Sequence, residues 1–421
     1  MYLCVTLAHF YIEWYLGVFV AIEFFKSGGV TSPKAFVAGA VYAGIKTFSD
    51  DKLDLGILFS ESPCTTVGTY TQNEIKSASV VLTKKRVGAG RVRAVVTSSG
   101  IANAVVEAGE KDAIDLASLA ADHIGIKEDE MAICTTGLIG VELPMALIRS
   151  AMPKITLSDQ GSNQFARSIL TTDLKAKSAA ISLKIDEEEI IIGGCVKGSG
   201  MIHPNMATML AFFTTDAKVE RDFLSHALKE AVDDTFNMTS VDGDTSPNDT
   251  VLLLANGAAG NKLLSETSNG SSEFIDALRM LASSLCKELV ADAEGSNRIF
   301  SVTVHNAASK NDARDIARTI ASSNLVKSAI HGSDPNWGRV IAAAGRAGVK
   351  IKEEKVSFYI NDICLMENGL PISFHKEAIV SIMSRPEISL KLGLGLGEFS
   401  ATAWGCELSE EYVTFNSAYT T

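Results

Sequence analysis

The sequence predicts an α/β or α+β protein built on mixed sheets, and three observations carry that expectation. From Ser27 onward apolar strands alternate with amphipathic helices, with no repeat and no long low-complexity linker. Many of the strand candidates alternate apolar with polar residues, which favours mixed or antiparallel sheets with one covered face. The 421 residues are 46% hydrophobic and 21% charged, ample material for one or two large cores and unlike a disordered chain. At about 150 residues per domain, length alone suggests two or three domains, or one unusually large one.

Taken in order, the first stretch is the anomaly. Residues 1–25 are nearly all apolar or aromatic and long enough to cross a bilayer, yet Glu13 and Glu23 interrupt them and no basic residue precedes them. With no convincing small-residue cleavage site, they read as an apolar extension before they read as a membrane or targeting segment. Strands are predicted at 53–60, 93–98, 181–185, 189–192, 210–215, 251–255, 301–305, 356–360 and 412–416. Helices are predicted at 112–124, 220–236, 273–289 and 312–330, where apolar residues recur at three- and four-residue spacing. In the second of these Phe223, Ala227, Leu228 and Ala231 share one face and leave Lys229 and Asp233 to water. Polar stretches at 186–188, 261–272 and 350–355 read as connections.

Two glycine-rich segments stand out. Residues 193–200 hold four glycines, which implies tight turns or close backbone approach, but the spacing matches neither a phosphate loop nor a dinucleotide fingerprint. The run from Met201 to Phe213 that follows is apolar and broken by Pro204. Gly393-Leu-Gly-Leu-Gly397 reads as a bend between strands.

Charge and composition exclude several functions. With 38 Lys and Arg against 50 Asp and Glu, the net charge is −12, a poor start for binding nucleic acid. Seven dispersed cysteines without a C-x-x-C pair suit free thiols in a reducing compartment, hence the cytoplasm. Seven histidines without H-E-x-x-H spacing recommend no metal site. The sequons at Asn237, Asn248 and Asn269 matter only in a secreted chain. No G-x-S-x-G elbow is present. Hydroxyl and amide clusters at Thr135-Thr-Gly137, Thr171-Thr-Asp173, Thr214-Thr-Asp216, 240–246 and Asn248-Asp-Thr250 each read singly as turns or caps. Asp242 and Asp244 would share one strand face, which is too little for a glycosidase pair. Composition does not choose one nucleophile among so many threonines.

A resemblance does. Lys197-Gly-Ser-Gly-Met-Ile-His-Pro-Asn-Met-Ala-Thr-Met-Leu210 closely resembles the self-cleavage signature of the ornithine acetyltransferase family, also called the glutamate N-acetyltransferase or bifunctional arginine-biosynthesis family. Gly44-Ile-Lys46, Gly68-Thr-Tyr-Thr-Gln-Asn73, Thr135-Thr-Gly-Leu-Ile-Gly140, Thr171-Thr-Asp173, Ser240-Val-Asp-Gly-Asp-Thr-Ser246, Asn248-Asp-Thr250, Glu294-Gly295, Asp334-Pro-Asn-Trp-Gly-Arg339 and Asn416-Ser-Ala-Tyr-Thr-Thr421 follow in the family's order. They run from about Ser27 to the last residue; residues 1–25 have no counterpart in the family's usual sequence.

The resemblance implies a layered sandwich of mixed sheets between helices, of the self-processed N-terminal-nucleophile type. The precursor would cut itself between Ala207 and Thr208, giving chains 26–207 (with the extension, 1–207) and 208–421 that assemble as an α2β2 heterotetramer. Freed Thr208 would be the nucleophile, its own α-amine, with a pKa of about 8, taking the hydroxyl proton. Acetyl would pass from N2-acetyl-L-ornithine to L-glutamate through an ester on Thr208, with acetyl-CoA a further donor in some members. Thr136 and Gly137 would hold the oxyanion, and Thr171, Lys197, Thr208, Glu294, Asn416 and Thr421 would bind substrate. No metal or bound organic cofactor is implied, and the alternative is a self-processed amidohydrolase or aminopeptidase of related fold. The sequence departs from the family at Ile101, where asparagine is usual, at Cys195-Val196 for a Met-Ala pair, and at Leu174-Lys-Ala176. An exposed Cys195 would be a reactive thiol beside the cut.

Overall fold

Side chains along a strand point alternately to opposite faces, so the six residues Leu210–Thr215 divide between two cores. Leu210 and Phe212 enter one with Leu252 and Leu254; Ala211 and Phe213 enter the other with Val251 and Leu253. The computed structural model describes residues 22–46, 52–203 and 209–418. Leu210–Thr215 pairs in parallel with Thr250–Ala255, and the crossover between them carries the helix Arg221–Asp234. Both strands sit inside a six-stranded sheet ordered Glu23–Phe25, Lys177–Ile185, Glu188–Lys197, Leu210–Thr215, Thr250–Ala255, Thr65–Tyr70.

One face of this sheet is covered by the helices Arg221–Asp234 and Ser271–Ala291 through Phe223, Leu228, Phe274 and Leu285. Its other face packs on a four-stranded sheet, Phe36–Val41, Leu55–Ser60, Ala94–Ile101 and Met131–Leu138, with Val80 and Phe165 from two helices completing the core. Helices Gly109–Ile124 and Met145–Ala151 cover the outside of that second sheet with Leu116, Ala117 and Ile148. The layers therefore run helix, sheet, sheet, helix. A third, seven-stranded sheet, with Glu387–Gly393 at its centre and Ile299–Ala307 beside it, builds its own core with the helix Lys310–Ala321.

The predicted mixture of parallel and antiparallel pairing holds. The single covered face does not hold for the central strands, because Leu210–Thr215 and Thr250–Ala255 are buried at every position between helices and a second sheet. The helix expected over 312–330 is two, Lys310–Ala321 and Asn324–His331, interrupted at Ser322 and Ser323. The strand expected at 412–416 lies in the helix Glu410–Ala418. Its alternating Val413 and Phe415 are exposed, and the Ser409 hydroxyl accepts the Tyr412 N–H at 3.2 Å, capping a helix start. Thr135-Thr-Gly137 belongs to the strand Met131–Leu138 instead of a turn, and Asp242 and Asp244 lie in a loop. Gly393–Gly397 does bend between strands. Of the apolar start, Glu23–Phe25 forms an edge strand against Ser182, Ile181 and Ala180, while residues 1–21 lie outside the described residues. No helix among the described residues is long and apolar enough to cross a membrane.

Candidate active site

The glycine-rich segment connects two neighbouring antiparallel strands. Lys197, the last residue of Glu188–Lys197, pairs with Leu210, the first of Leu210–Thr215. Between them, Gly198 donates its N–H to Asp173 Oδ1 at 2.7 Å and Ser199 donates its hydroxyl to the Asp292 carbonyl at 2.7 Å. The Ser199 carbonyl accepts the Glu294 N–H at 3.1 Å, and Gly200 packs so closely on the Glu294 carboxylate that a Cβ there would collide with it. Further on, Asp242 accepts the N–H groups of Met201 at 2.6 Å and Ile202 at 2.9 Å, and the Tyr412 hydroxyl at 3.3 Å. The approach to Pro204 is thus pinned by carboxylates and backbone at successive residues.

A cavity of about 130 Å³ opens beside this connection. It is lined by Thr136 and Gly137, by Thr171 and Thr172, by Lys197, by Met209, by the loop Ser246 to Asp249, and by Glu294 and Asn416. The Thr136 wall is held by sheet pairing and by Asn248, whose side-chain amide donates to the Ala102 carbonyl at 2.6 Å and the Thr135 carbonyl at 2.9 Å. Gly137 sits at φ +133° opposite Gly100 at φ +116°, and a Cβ on Gly137 would strike the Gly100 backbone. Only glycine fits there.

Charge in the cavity is arranged unevenly. Lys197 is buried and donates to the Thr136 hydroxyl oxygen at 3.3 Å. Burial lowers its pKa, opposed by the carboxylates of Asp173 and Asp249. Behind it, Lys177 pairs with Asp173 and Asp292, each at 2.6 Å and all buried. Burial alone would raise the Asp173 pKa, but the ammonium groups of Lys177 and Lys197 and the Gly198 N–H bring it below the ordinary value. At the mouth, Asn416 donates its amide to Glu294 Oε2 at 2.9 Å.

The family model described as the ArgJ family matches residues 37–421. The chain belongs to the ArgJ family. It is 44% identical over 402 residues to the arginine biosynthesis bifunctional protein of Dehalococcoides mccartyi, covering 95% of this chain and 99% of that one. It is 45% identical over 400 residues to the namesake from Symbiobacterium thermophilum, covering 94% and 99%. Among solved structures, the arginine biosynthesis bifunctional protein of Bacillus halodurans is 36% identical, covering 50% of this chain and 100% of that chain, with a TM-score of 0.49. The ornithine acetyltransferase of Mycobacterium tuberculosis complexed with ornithine is 33% identical, covering 44% and 100%, with a TM-score of 0.41. Membership places this chain among the acetyltransferases of arginine biosynthesis, as the sequence motifs led us to expect, and does not favour the hydrolase alternative.

In this ArgJ-family chain the structure gathers Thr136, Gly137, Thr171, Lys197, Glu294 and Asn416 around one cavity. Ala207, Thr208 and Thr421 lie outside the described residues; Met209, which follows Thr208 in sequence, lines the cavity. Sequence reasoning did not single out Lys177 or Asp292, and named Asp173 only within a hydroxyl cluster. Asp173 lies only four residues before Lys177, but the contact with Asp292 spans more than a hundred residues, and no local spacing reveals it. Of the departures, Ile101 is buried in the core under the second sheet and Leu174 is exposed to water. Cys195 is fully buried between the sheets and burial raises its thiol pKa, so it is not the reactive thiol that exposure would have made it.

Proposed function

We propose that this ArgJ-family chain cuts itself between Ala207 and Thr208 and then carries acetyl from N2-acetyl-L-ornithine to L-glutamate as an ester on Thr208. The supporting observation is the convergence of Thr136, Gly137, Thr171, Lys197, Glu294 and Asn416, from distant parts of the sequence, on one cavity with Met209. In the cut, the Thr208 hydroxyl attacks the Ala207 carbonyl and the C–N bond breaks, which forms an ester and frees the Thr208 α-amine; hydrolysis of that ester then releases the Ala207 carboxylate and restores the hydroxyl. That amine, with a pKa of about 8, then takes the proton from its own hydroxyl as it attacks the acetyl carbonyl.

The developing oxyanion is met by the Thr136 hydroxyl and the Gly137 N–H. Because Thr136 already accepts from the Lys197 ammonium, its own O–H is polarised as a donor. Ornithine leaves with the proton, and the amine of glutamate attacks the ester. A lysine and a glutamate suit the carboxylate and ammonium of an amino acid, so Lys197 and Glu294 serve as anchors, with Thr171, Asn416 and Thr421 beside them. The same ester formed from acetyl-CoA would serve glutamate equally. The working particle is an α2β2 assembly of 1–207 and 208–421 in the cytoplasm, without metal or organic cofactor.

Intact-mass analysis of purified protein, followed by incubation with acetylornithine with and without glutamate, tests the proposal. We expect two chains meeting at Thr208 and ornithine release that depends on glutamate; release indifferent to glutamate would overturn it in favour of hydrolysis. Thr208→Ala should give one uncut, inactive chain on a denaturing gel, and near-normal cutting in that variant would remove Thr208 from its role.

A further inference from the structure

We propose that Lys46 is a positioning residue for acetyl transfer, a single side chain that ties the strand backing Gly137 to the loop that carries Thr171. Its ammonium donates to the Leu53 carbonyl at 2.7 Å, the Leu170 carbonyl at 2.8 Å and the Ser99 hydroxyl at 3.2 Å. Three donors meet three acceptors, which uses the full capacity of a charged lysine. The acceptors stand on three separate segments: the entry to Leu55–Ser60, the strand Ala94–Ile101, and the residue before Thr171.

The stem of the same side chain supports the oxyanion wall. A Cβ on Gly100 would lie 2.6 Å from the Lys46 Cβ, and the Gly100 backbone in turn occupies the place of a Cβ on Gly137. Lys46, Gly100 and Gly137 are therefore stacked without slack, and moving the first displaces the last. The backbone ahead of Lys46 is fixed independently, since Asp54 accepts the N–H groups of Ala43 at 2.6 Å and Ile45 at 2.7 Å while its carbonyl accepts the Ser99 N–H.

The joint has a pH limit. Burial lowers the Lys46 pKa to about 8; the carboxylates of Asp54 and Asp173 favour its charged form, and Lys52 and Lys197 oppose it. Below that pH the ammonium serves all three acceptors. Above it the neutral amine keeps two N–H groups and one acceptor loses its donor.

This inference rests on the proposed transfer through an ester on Thr208, with Thr136 and Gly137 at its oxyanion, and the test separates the failure of that reading from the failure of the Lys46 role. Transfer from acetylornithine to glutamate is measured on the purified full-chain protein, with rates normalised to the cut fraction on a denaturing gel. Lys46→Met keeps the stem and removes the charge. We expect kcat to fall about 10- to 100-fold with a much smaller change in KM, the pattern of a mispositioned reacting group. Lys46→Arg stays charged at every accessible pH, so it should recover most of kcat and move to higher pH the alkaline fall of kcat that we expect near pH 8 in the native enzyme.

Native kcat in Lys46→Met, or an alkaline limb left in place by Lys46→Arg, overturns the inference. Should Lys46→Met fail to fold, the pH profile of Lys46→Arg decides. If Thr208→Ala is inactive while Lys46→Met is normal, the positioning role alone fails; an active Thr208→Ala removes the ester reading and this inference with it.

Discussion

Lys177 and Lys197 stand on adjacent strands of the same sheet, both buried, and the molecule treats them in opposite ways. Lys177 pairs across the ladder with Val196, so its side chain shares that residue's face, and Lys197, one position further on, points to the other face. On its side Lys177 meets two carboxylates at 2.6 Å. On the other, among the described residues, Lys197 makes one hydrogen bond, to the Thr136 hydroxyl, and lines the cavity. Burial therefore does not distinguish a structural lysine from a working one. The distinction lies in whether the protein itself satisfies the charge, and among the described residues Lys197 has donors left over, as the proposed binding of a substrate carboxylate requires.

The largest effect that could break this comparison is on stability. Lys177→Met leaves Asp173 and Asp292 buried without their cation, and removing one partner of such a network costs about 3–5 kcal/mol. In the native protein the Asp173 pKa is depressed, so its contribution is present above the ordinary carboxylate pKa of about 4 and is lost as pH falls through the folded value. Without Lys177, burial dominates and the carboxyl pKa rises, so the variant's deficit should be greatest near neutral pH and shrink toward about pH 5. Denaturant unfolding at several pH values measures both. A deficit independent of pH would show that lost packing, and not stranded charge, explains the cost.

Lys197→Met should reverse the pattern. It removes a buried cation that has no carboxylate in direct contact among the described residues, so stability should stay within about 1 kcal/mol of native or rise. Transfer should suffer instead, by about 10- to 100-fold in kcat/KM, the worth of a hydrogen bond to a charged group. If Lys197→Met unfolds as readily as Lys177→Met, the two lysines are alike and the comparison fails.

Much of this arrangement was legible in the sequence, and the illegible part has a common cause. The strand Leu210–Thr215 was anticipated to the residue because six apolar or β-branched side chains follow a breaker-rich segment. Thr136, Gly137, Lys197, Glu294 and Asn416 were named from motifs that stand in a fixed order. What escaped depends on contacts between distant segments: the Lys177 network, the hold of Lys46 on Leu170, and the second cover over the central sheet. The helix Glu410–Ala418 escaped for a local reason, since alternation between Tyr412 and Asn416 imitates a strand while the cap at Ser409 lies just upstream.

The smallest effect concerns Glu294, another charged residue that lines the cavity. Among the described residues Glu294 is neither paired with a lysine nor left to water alone: Gly200 lies against its carboxylate, and Asn416 donates to Oε2 from a helix at the surface. A neutral donor orients the carboxylate without cancelling its charge, which is what an anchor for a substrate ammonium requires. Because Asn416 is exposed, Asn416→Ala removes its hydrogen bonds to Glu294 and to the Tyr412 carbonyl, each worth about 0.5–1.5 kcal/mol, and strands no buried partner. We expect the KM for acetylornithine to rise about two- to tenfold, with kcat, self-cleavage and the unfolding midpoint little changed. Steady-state kinetics on the cut enzyme check this. A fall in kcat at constant KM would mean that Glu294 acts in the transition state, and Lys177, Lys197 and Glu294 would then sort as one structural residue and two that share the chemistry.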